Sequence, residues 1–498
     1  MVETGIHADV LRLTTGMLIG DTLRLGTSTY PITDPATGEI IGEAPEATPT
    51  DVADAVAAAR AAQPAWGATP ITERADLLRA IGRGLAARRD DLAPLVAAET
   101  GCLLSAAPGI IDRAVSRFER FAALIIEQQP IRHPVAAQTS PGGTLLTVGE
   151  TAARPVGVVA AIAPFNFPMI GAASKIAPAI AMGNTVVFKP APQDPLQILA
   201  FGAICREVGV PAGVINIVTG SRVEVGQELV ASPDVDMVSF TGSTKAGSEI
   251  YRQGADHMRR HLLELGGKGA LIVRADADLD AAAEALSRVW RYYSGQWCAA
   301  PTRAIVHRDI HDALVERLEL IGRALRVGDQ RDPDADLGPI ISEPQRDRIE
   351  ATVARAIADG AMEVLGHPAR GGMPHGYFVA PALLTGCRPE MTVVQEEVFG
   401  PVLAVLPYSD DEEAIRLAND SRYGLTNYLF SADATRAWEM AAQLRSGSVL
   451  INTATPRDDM PFGGVGMSGL GRDNGQFALD AYSEPQGVLL ATTPGTTA

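Results

Sequence analysis

Lysine is nearly absent from this chain. Four of its 42 basic residues are lysine (Lys175, Lys189, Lys245 and Lys268), and the others are arginine. A lysine kept against such a bias points to a place that needs a compact, flexible ammonium rather than a planar guanidinium. All four lie between residues 175 and 268. Positive charge as a whole is short, with 42 basic residues against 59 acidic ones and a net charge of −17. That balance excludes a nucleic-acid or anionic-membrane surface, since either needs a concentrated basic face. Cysteine is sparse: Cys102, Cys205, Cys298 and Cys387 are far apart and form no CxxC pair. Neither a disulfide framework nor a zinc site is indicated, and no metal is expected. The most apolar stretch, 156–181, is interrupted by Pro164, Asn166, Pro168, Lys175 and Pro178, so it makes no clean membrane span. The opening Met1-Val2-Glu3-Thr4-Gly5 lacks the regions of a secretory signal. Free thiols in a reducing cytoplasm are expected.

What is present suits a large α/β protein. With 498 residues, 46% of them hydrophobic, the chain can build two or three domains. Residues 50–130 show helical periodicity: Asp51 is placed to cap the run Val52, Val56, Ala59, and Leu77, Leu78, Ile81 and Leu85 share a face. Pro141-Gly142-Gly143 followed by Thr144-Leu145-Leu146-Thr147-Val148 reads as a hairpin arm that extends a sheet between subunits. Short apolar runs at 156–162, 185–188, 214–218 and 237–240 then alternate with helix-like segments at 168–182, 195–208, 223–231 and 245–253. Non-alternating runs of this kind predict a doubly wound parallel sheet buried on both faces. A second series begins at 270–273, with helices at 279–290, 312–325 and 343–359. Its strands fall near 302–306, 402–407, 426–430 and 448–451. The junction lies near 264–268, and the tail after Ala491 reads as a frayed end.

Three groups break their local pattern. Asn166 stands between Pro164 and Pro168 after a buried strand, where ligands of open α/β sheets bind. Glu264 follows an apolar run and precedes Gly266-Gly267, which let backbone approach a ligand. Cys298 terminates an aromatic-rich helix and is followed by Ala299-Ala300-Pro301, neighbours small enough to leave its sulfur accessible. An arbitrary cysteine is core, the reading taken for Cys205; Cys102 and Cys387 have no supporting motif. Taken singly, Asn166 could cap a helix and Glu264 could pair with an arginine.

At these motifs the sequence resembles the aldehyde dehydrogenase superfamily over almost its whole length. The family-like segments run in order through Pro164–Pro168, Phe188-Lys189-Pro190, Phe240–Thr244, Leu263–Lys268, Gly295–Cys298, Glu397–Pro401 and Pro461–Gly464. The resemblance implies an aldehyde dehydrogenase-like α/β fold with two doubly wound parallel-sheet domains and a β-hairpin oligomerisation arm. It assigns 1–135 and 155–265 to a dinucleotide-binding domain, to which 455–475 returns. Residues 266–454 become the catalytic domain, and 136–154 with 476–498 the arm and tail. Homodimers or homotetramers are expected.

The implied chemistry adds the Cys298 thiolate to the aldehyde carbon. Asn166 and the Cys298 N–H then stabilise the oxyanion, hydride leaves to a nicotinamide, and Glu264 activates water against the thioester. Lys175 joins the catalytic set. For the cofactor, the resemblance carries over Lys189 and Glu397 for the two riboses, with Phe399 beside the latter. Gly242, Ser243 and Gly247 belong near the pyrophosphate, and Gly220, Phe240 and Leu265 around it. The ordinary Gly-x-Gly-x-x-Gly fingerprint is read as absent, so that signature is not expected to identify the site. Pro192 stands where many NAD-preferring members carry glutamate, which removes repulsion of a 2′-phosphate; NAD with NADP tolerated is expected. Asp473 stands where glutamate is common.

The substrate channel is expected to involve Phe167, Ile170, Ser174, Trp297 and the loop Thr453–Asp459, including Thr455. Its aromatic rings favour an aromatic, benzaldehyde-like aldehyde. Arg457 keeps open a carboxylate-bearing semialdehyde. A CoA-acylating dehydrogenase and a non-catalytic binding protein of the same fold are the remaining alternatives. Glu264 argues against the first, and the intact Cys298, Glu264 and Asn166 against the second.

Overall fold

The computed structural model describes residues 5–141, 143–365 and 372–492. Three helices among those that precede the first large sheet form much of its cover. α1 (Pro49–Ala68) starts at Thr48, whose hydroxyl accepts from Asp51 N at 3.2 Å while the Asp51 carboxylate accepts from Thr48 N at 2.8 Å. Asp51 is therefore the third residue of a capping box, not the cap expected from sequence. Pro49 suits the first turn, where a missing N–H costs nothing. α2 (Ile71–Ala86) buries Leu78, Ile81 and Leu85, and α3 (Ala107–Glu127) buries Ile111, Phe118 and Phe121.

Strands β1 (Val158–Ile162), β2 (Thr185–Lys189), β3 (Ile215–Ile217), β4 (Met237–Thr241) and β5 (Arg260–Glu264) alternate with four helices. These are α4 (Pro168–Ala181), α5 (Leu196–Glu207), α6 (Val223–Ala231) and α7 (Thr244–Gly254). The strands form a parallel sheet in the order β5-β4-β1-β2-β3, with Gly469–Leu470 as an antiparallel edge on β5. Nearly every residue of β1, β2 and β4 is buried, as continuous apolar runs require.

The second sheet holds β6 (Ala270–Val273), β7 (Arg303–His307), β8 (Ala382–Thr385), β9 (Val402–Tyr408), β10 (Thr426–Phe430) and β11 (Ser448–Ile451). Their order is β8-β9-β7-β6-β10-β11, all parallel. The sequence reading lacks β8, whose Ala-Leu-Leu-Thr has little β-branched signal. Five residues, 265–269, join β5 to β6. The buried Arg303 pins this junction, donating to the carbonyls of Lys268, Leu417 and Ala418 at 2.9–3.0 Å.

A three-stranded antiparallel arm completes the molecule: Ile131–Ser140 pairs with Gly143–Pro155, which pairs with Ser483–Thr492. The arm is longer than the hairpin read from sequence. Before the last strand, Gly475–Ala481 forms a helix that buries Ala478 and Leu479. The last strand runs through Thr492, past the expected fraying point; Gly142 and residues 493–498 lie outside the described residues. Among the described residues no helix is long and apolar enough to cross a membrane.

Candidate active site

The first sheet ends flush. Ile162 pairs with both Lys189 and Phe240, Phe240 with Leu263, and Thr241 with Glu264. β1 sits at the reversal of strand order, between β4 and β2, and groups leaving the carboxyl ends of strands gather at such a point. Asn166 follows β1, Gly242 follows β4, and Glu264 closes β5.

Cys298 reaches this edge from the second domain. α8 (Leu279–Arg291) stops seven residues before it, so the cysteine sits in a turn and not at the helix end expected from sequence. The helix breaks because Tyr293, Ser294 and Gly295 take φ of 55°, 51° and 76°. At Gly295 a side chain would also overlap the Gly400 backbone. The turn is clamped on several sides. Ser294 Oγ donates to Gly338 O at 2.9 Å, Gln296 Oε1 accepts from Ile341 N at 2.9 Å, and the Tyr428 hydroxyl donates to Ala299 O at 2.6 Å.

Two adjoining cavities meet at the three groups. The larger, about 480 Å³, is lined by Phe167, Ile170, Ser174, Lys175, Tyr292, Trp297, Thr455, Phe462 and Asp473 among others. The smaller, about 120 Å³, is lined by Phe165, Gly242, Ser243, Leu265, Gly266, Glu397 and Phe399 among others. Asn166, Glu264 and Cys298, with Pro164 and Thr241, line both. The sulfur, half-buried, therefore stands between an aromatic channel and a polar cleft.

Burial dominates the electrostatics. Glu264 is 4% exposed, and neither carboxylate oxygen has a donor from the protein. Burial and the nearby Asp473 push its pKa well above the ordinary carboxylate value, against Lys175 and Arg472. Lys175, also buried, donates to Ser239 Oγ at 3.1 Å, and the Tyr482 hydroxyl donates to the same oxygen at 2.7 Å. Burial lowers the Lys175 ammonium, opposed by Asp473 and Glu264. The Cys298 thiol is pushed up to about 12 by burial and by Glu397 and Glu264, while the Cys298 and Ala299 N–H groups oppose this. The same burial thus disfavours the charged forms of both Cys298 and Glu264, so proton removal from Cys298 needs a base.

The lining of the smaller cavity suits the nicotinamide and pyrophosphate part of a dinucleotide. Glu397 Oε1 accepts from Gly267 N at 2.9 Å, and a side chain at Gly266 would overlap its other oxygen. Burial pushes this carboxyl up to about 7. Phe399, at φ 57°, meets Phe165 edge-on with ring centroids 5.6 Å apart. α7 begins where Gly242 and Ser243 line the cavity, a helix terminus suited to phosphate. Ser243 caps it, accepting from Ala246 N at 3.3 Å; Leu265 packs on Gly247, and the Phe240 ring on Gly242.

Lys189 Nζ donates to Pro190 O and Gly220 O, each at 3.3 Å, and burial lowers the ammonium to about 8 against Glu46. Lys189, Gly220 and the half-buried Pro192 line neither cavity. A Gly-x-Gly-x-x-Gly spacing does occur at Gly464–Gly469, but it leads into the antiparallel edge strand and no phosphate-facing helix. Lys268, buried and unassigned by sequence, has its ammonium lowered to about 7 by burial and Arg303.

One pocket residue is misplaced by the sequence reading. Arg457 does not line the channel; its side chain is 72% exposed and pairs with Asp459 at 2.5 Å. A partner two residues away satisfies it locally, so it turns outward. Arg113, Arg117 and Arg288 line the channel instead, together with Tyr292 and Asp458. The first two were hidden in a segment that shows only helical periodicity. Their one local signal is the four-residue spacing that puts both on one face.

Comparison with known proteins agrees with this geometry. The sequence matches the pattern of the Aldehyde dehydrogenase family over residues 24–488. It is 39% identical over 461 residues to a 3,6-anhydro-alpha-L-galactose dehydrogenase of Streptomyces coelicolor, covering 91% of each chain. It is 38% identical over 474 residues to a peroxisomal aminoaldehyde dehydrogenase of Pisum sativum, covering 93% and 92%. The structure matches the betaine aldehyde dehydrogenase of Staphylococcus aureus in complex with NAD+ with a TM-score of 0.91. That match has 33% identity and covers 97% of this chain and 96% of the other.

Proposed function

The chain belongs to the aldehyde dehydrogenase family, and from that premise we propose that it oxidises an aldehyde to the carboxylic acid with NAD or NADP through a covalent adduct on Cys298. The observation that carries this reading is the position of Cys298, Glu264 and Asn166 on the shared wall of the two cavities. Cys298 Sγ loses its proton to solvent in the channel and bonds to the carbonyl carbon, whose π electrons move to the oxygen as negative charge. The Asn166 amide and the Cys298 N–H donate to that oxygen. NAD or NADP, when bound, supplies the acceptor for the expelled hydride. Glu264 takes a proton from the water that opens the thioester, and the acid leaves. Lys175 and Asp473 set the charge around Glu264 from the channel side. Glu397, Phe399, Leu265, Ser243 and the start of α7 would hold the nicotinamide half and the pyrophosphate, and Lys189 the adenosine ribose.

The walls made by Phe167, Tyr292, Trp297 and Phe462 support an aldehyde with a flat, apolar body, benzaldehyde-like in kind. Pro192, which brings no carboxylate to repel a 2′-phosphate, supports NAD with NADP tolerated. Four unpaired thiols accord with a cytoplasmic setting, and the exposed arm with a homodimer or homotetramer. Purified enzyme given benzaldehyde and NAD should accumulate benzoate and NADH in equal amounts without CoA, and NADP should also turn over. NADH formation that survives Cys298→Ala would sink the mechanism, and absence of turnover at saturating NADP the cofactor reading.

A further inference from the structure

The channel carries an excess of fixed positive charge at its outer end. Arg113 and Arg117 stand one turn apart on α3, and Arg288 lies in the last turn of α8. All three line the larger cavity with Lys175, against the carboxyl groups Asp458, Asp473 and Glu264; Asp458 is the one that ion-pairs with the arginines, while Glu264 and Asp473 lie around Lys175. Asp458 lies 3.6 Å from Arg117 and 4.0 Å from Arg113, beyond direct hydrogen bonding. Neutral groups hold the guanidinium planes. Arg113 donates to the Tyr292 hydroxyl at 2.9 Å, Arg117 to Asn474 Oδ1 at 2.6 Å, and Arg288 to Thr455 Oγ1 at 3.1 Å. These contacts fix orientation without cancelling charge. The Arg113 side chain is 43% exposed, that of Arg117 11%, and Glu264 is 4% exposed, so Arg113 stands at the entrance, Arg117 deeper, and Glu264 at the floor. Arg288 also covers the face of Tyr292, its guanidinium carbon 5.4 Å from the ring centroid. An aromatic face already taken by a cation is closed to a quaternary ammonium.

We propose that this channel selects aldehydes bearing an anionic group, a carboxylate or its equivalent, at the end remote from the carbonyl. Arg113, Arg117 and Arg288 are its specificity residues. The proposal rests on the oxidation reading above and narrows its substrate class. It also separates this enzyme from the relatives named for betaine aldehyde and aminoaldehydes, despite the similar fold. Charge-assisted bonds from a guanidinium fork suit a carboxylate and discriminate strongly against a cation.

The test is kcat/KM of the full-length enzyme in two charge-matched series. One is 4-carboxybenzaldehyde, benzaldehyde and 4-(trimethylammonio)benzaldehyde; the other is succinic semialdehyde, butanal and 4-(trimethylammonio)butanal. The anionic member should lead the neutral one by about tenfold or more in at least one series, with the cation last in both. Arg113→Gln and Arg288→Gln should each shrink the anionic-to-neutral ratio, and added salt should shrink it in the unaltered enzyme. Arg113 is exposed, so its variant tests charge where Arg288→Gln could disturb packing. A leading neutral or cationic aldehyde in both series, or a ratio unmoved by either substitution, overturns the proposal. Failure to oxidise any of the six would be a different failure, of the oxidation reading, and the charge proposal would fall with it.

Discussion

At Cys298 and Glu264 the same burial creates both the need and the means for catalysis. The thiol is pushed up to about 12 and the carboxyl well above its usual range, so both groups give up their protons less readily than they would in water. A carboxyl with a raised pKa cannot accept a proton until the pH exceeds that value. Turnover should therefore rise with pH as Glu264 and Cys298 ionise, and fall toward acid pH as Glu264 protonates. A kcat that does not rise from acid to alkaline pH would contradict this. Glu264→Gln should leave a rapid first turnover of NADH with slow steady state, because only thioester hydrolysis loses its base; stopped-flow absorbance separates the two phases. Asn166→Ala should lower kcat by roughly 10²–10³-fold, the usual cost of losing one oxyanion donor. A smaller loss would return Asn166 to a structural role.

Two glycines carry predictions at the scale of the element. Gly295 holds the turn that delivers Cys298, and Gly295→Ala adds strain of roughly 1–3 kcal/mol for its positive φ, besides the overlap with Gly400. Loss of both melting temperature and activity is expected; a variant with unaltered kcat would show that the turn can be rebuilt. Gly266→Ala meets the end of the Glu397 side chain and, less closely, Thr244 Oγ1, so it should displace that carboxylate and leave the backbone in place. The KM for NAD should rise several-fold, more than kcat falls, and the reverse pattern would exclude Glu397 from cofactor contact. Elements of the first sheet were legible in sequence because buried parallel strands leave apolar runs bounded by glycine and proline. β8 was not legible, and neither was the turn after α8, where a run of left-handed residues carries the chain to Cys298 without a proline to mark it.

For the whole molecule, the arm is the feature that one chain leaves unfinished. Val135, Val148, Val488, Leu489 and Leu490 are each about half or more exposed on its three strands. Apolar strand surface of this extent suits a protein partner, and the proposed homo-oligomer makes a second copy of the chain its expected occupant. Val488→Asp combined with Leu490→Asp should shift sedimentation to a smaller species. Unchanged sedimentation would place the subunit contact elsewhere. The catalytic residue types and their order along the chain were legible without coordinates, but the channel's charge was not. Arg113 and Arg117 come from a helix far in sequence from Cys298, whereas Arg457, close to the expected channel loop, turns away to Asp459.

What the sequence determined by itself was local. Alternation of strand and helix, the scarcity of lysine and the motifs around Asn166, Glu264 and Cys298 each depend on neighbours within a few residues. Only the tertiary structure decided which distant side chains share a cavity. It set Cys298 between two cavities, raised the Glu264 carboxyl, lined the channel with three arginines and sent 475–481 back as a helix. Burial and long-range contact depend on packing between segments hundreds of residues apart, and no local pattern encodes that.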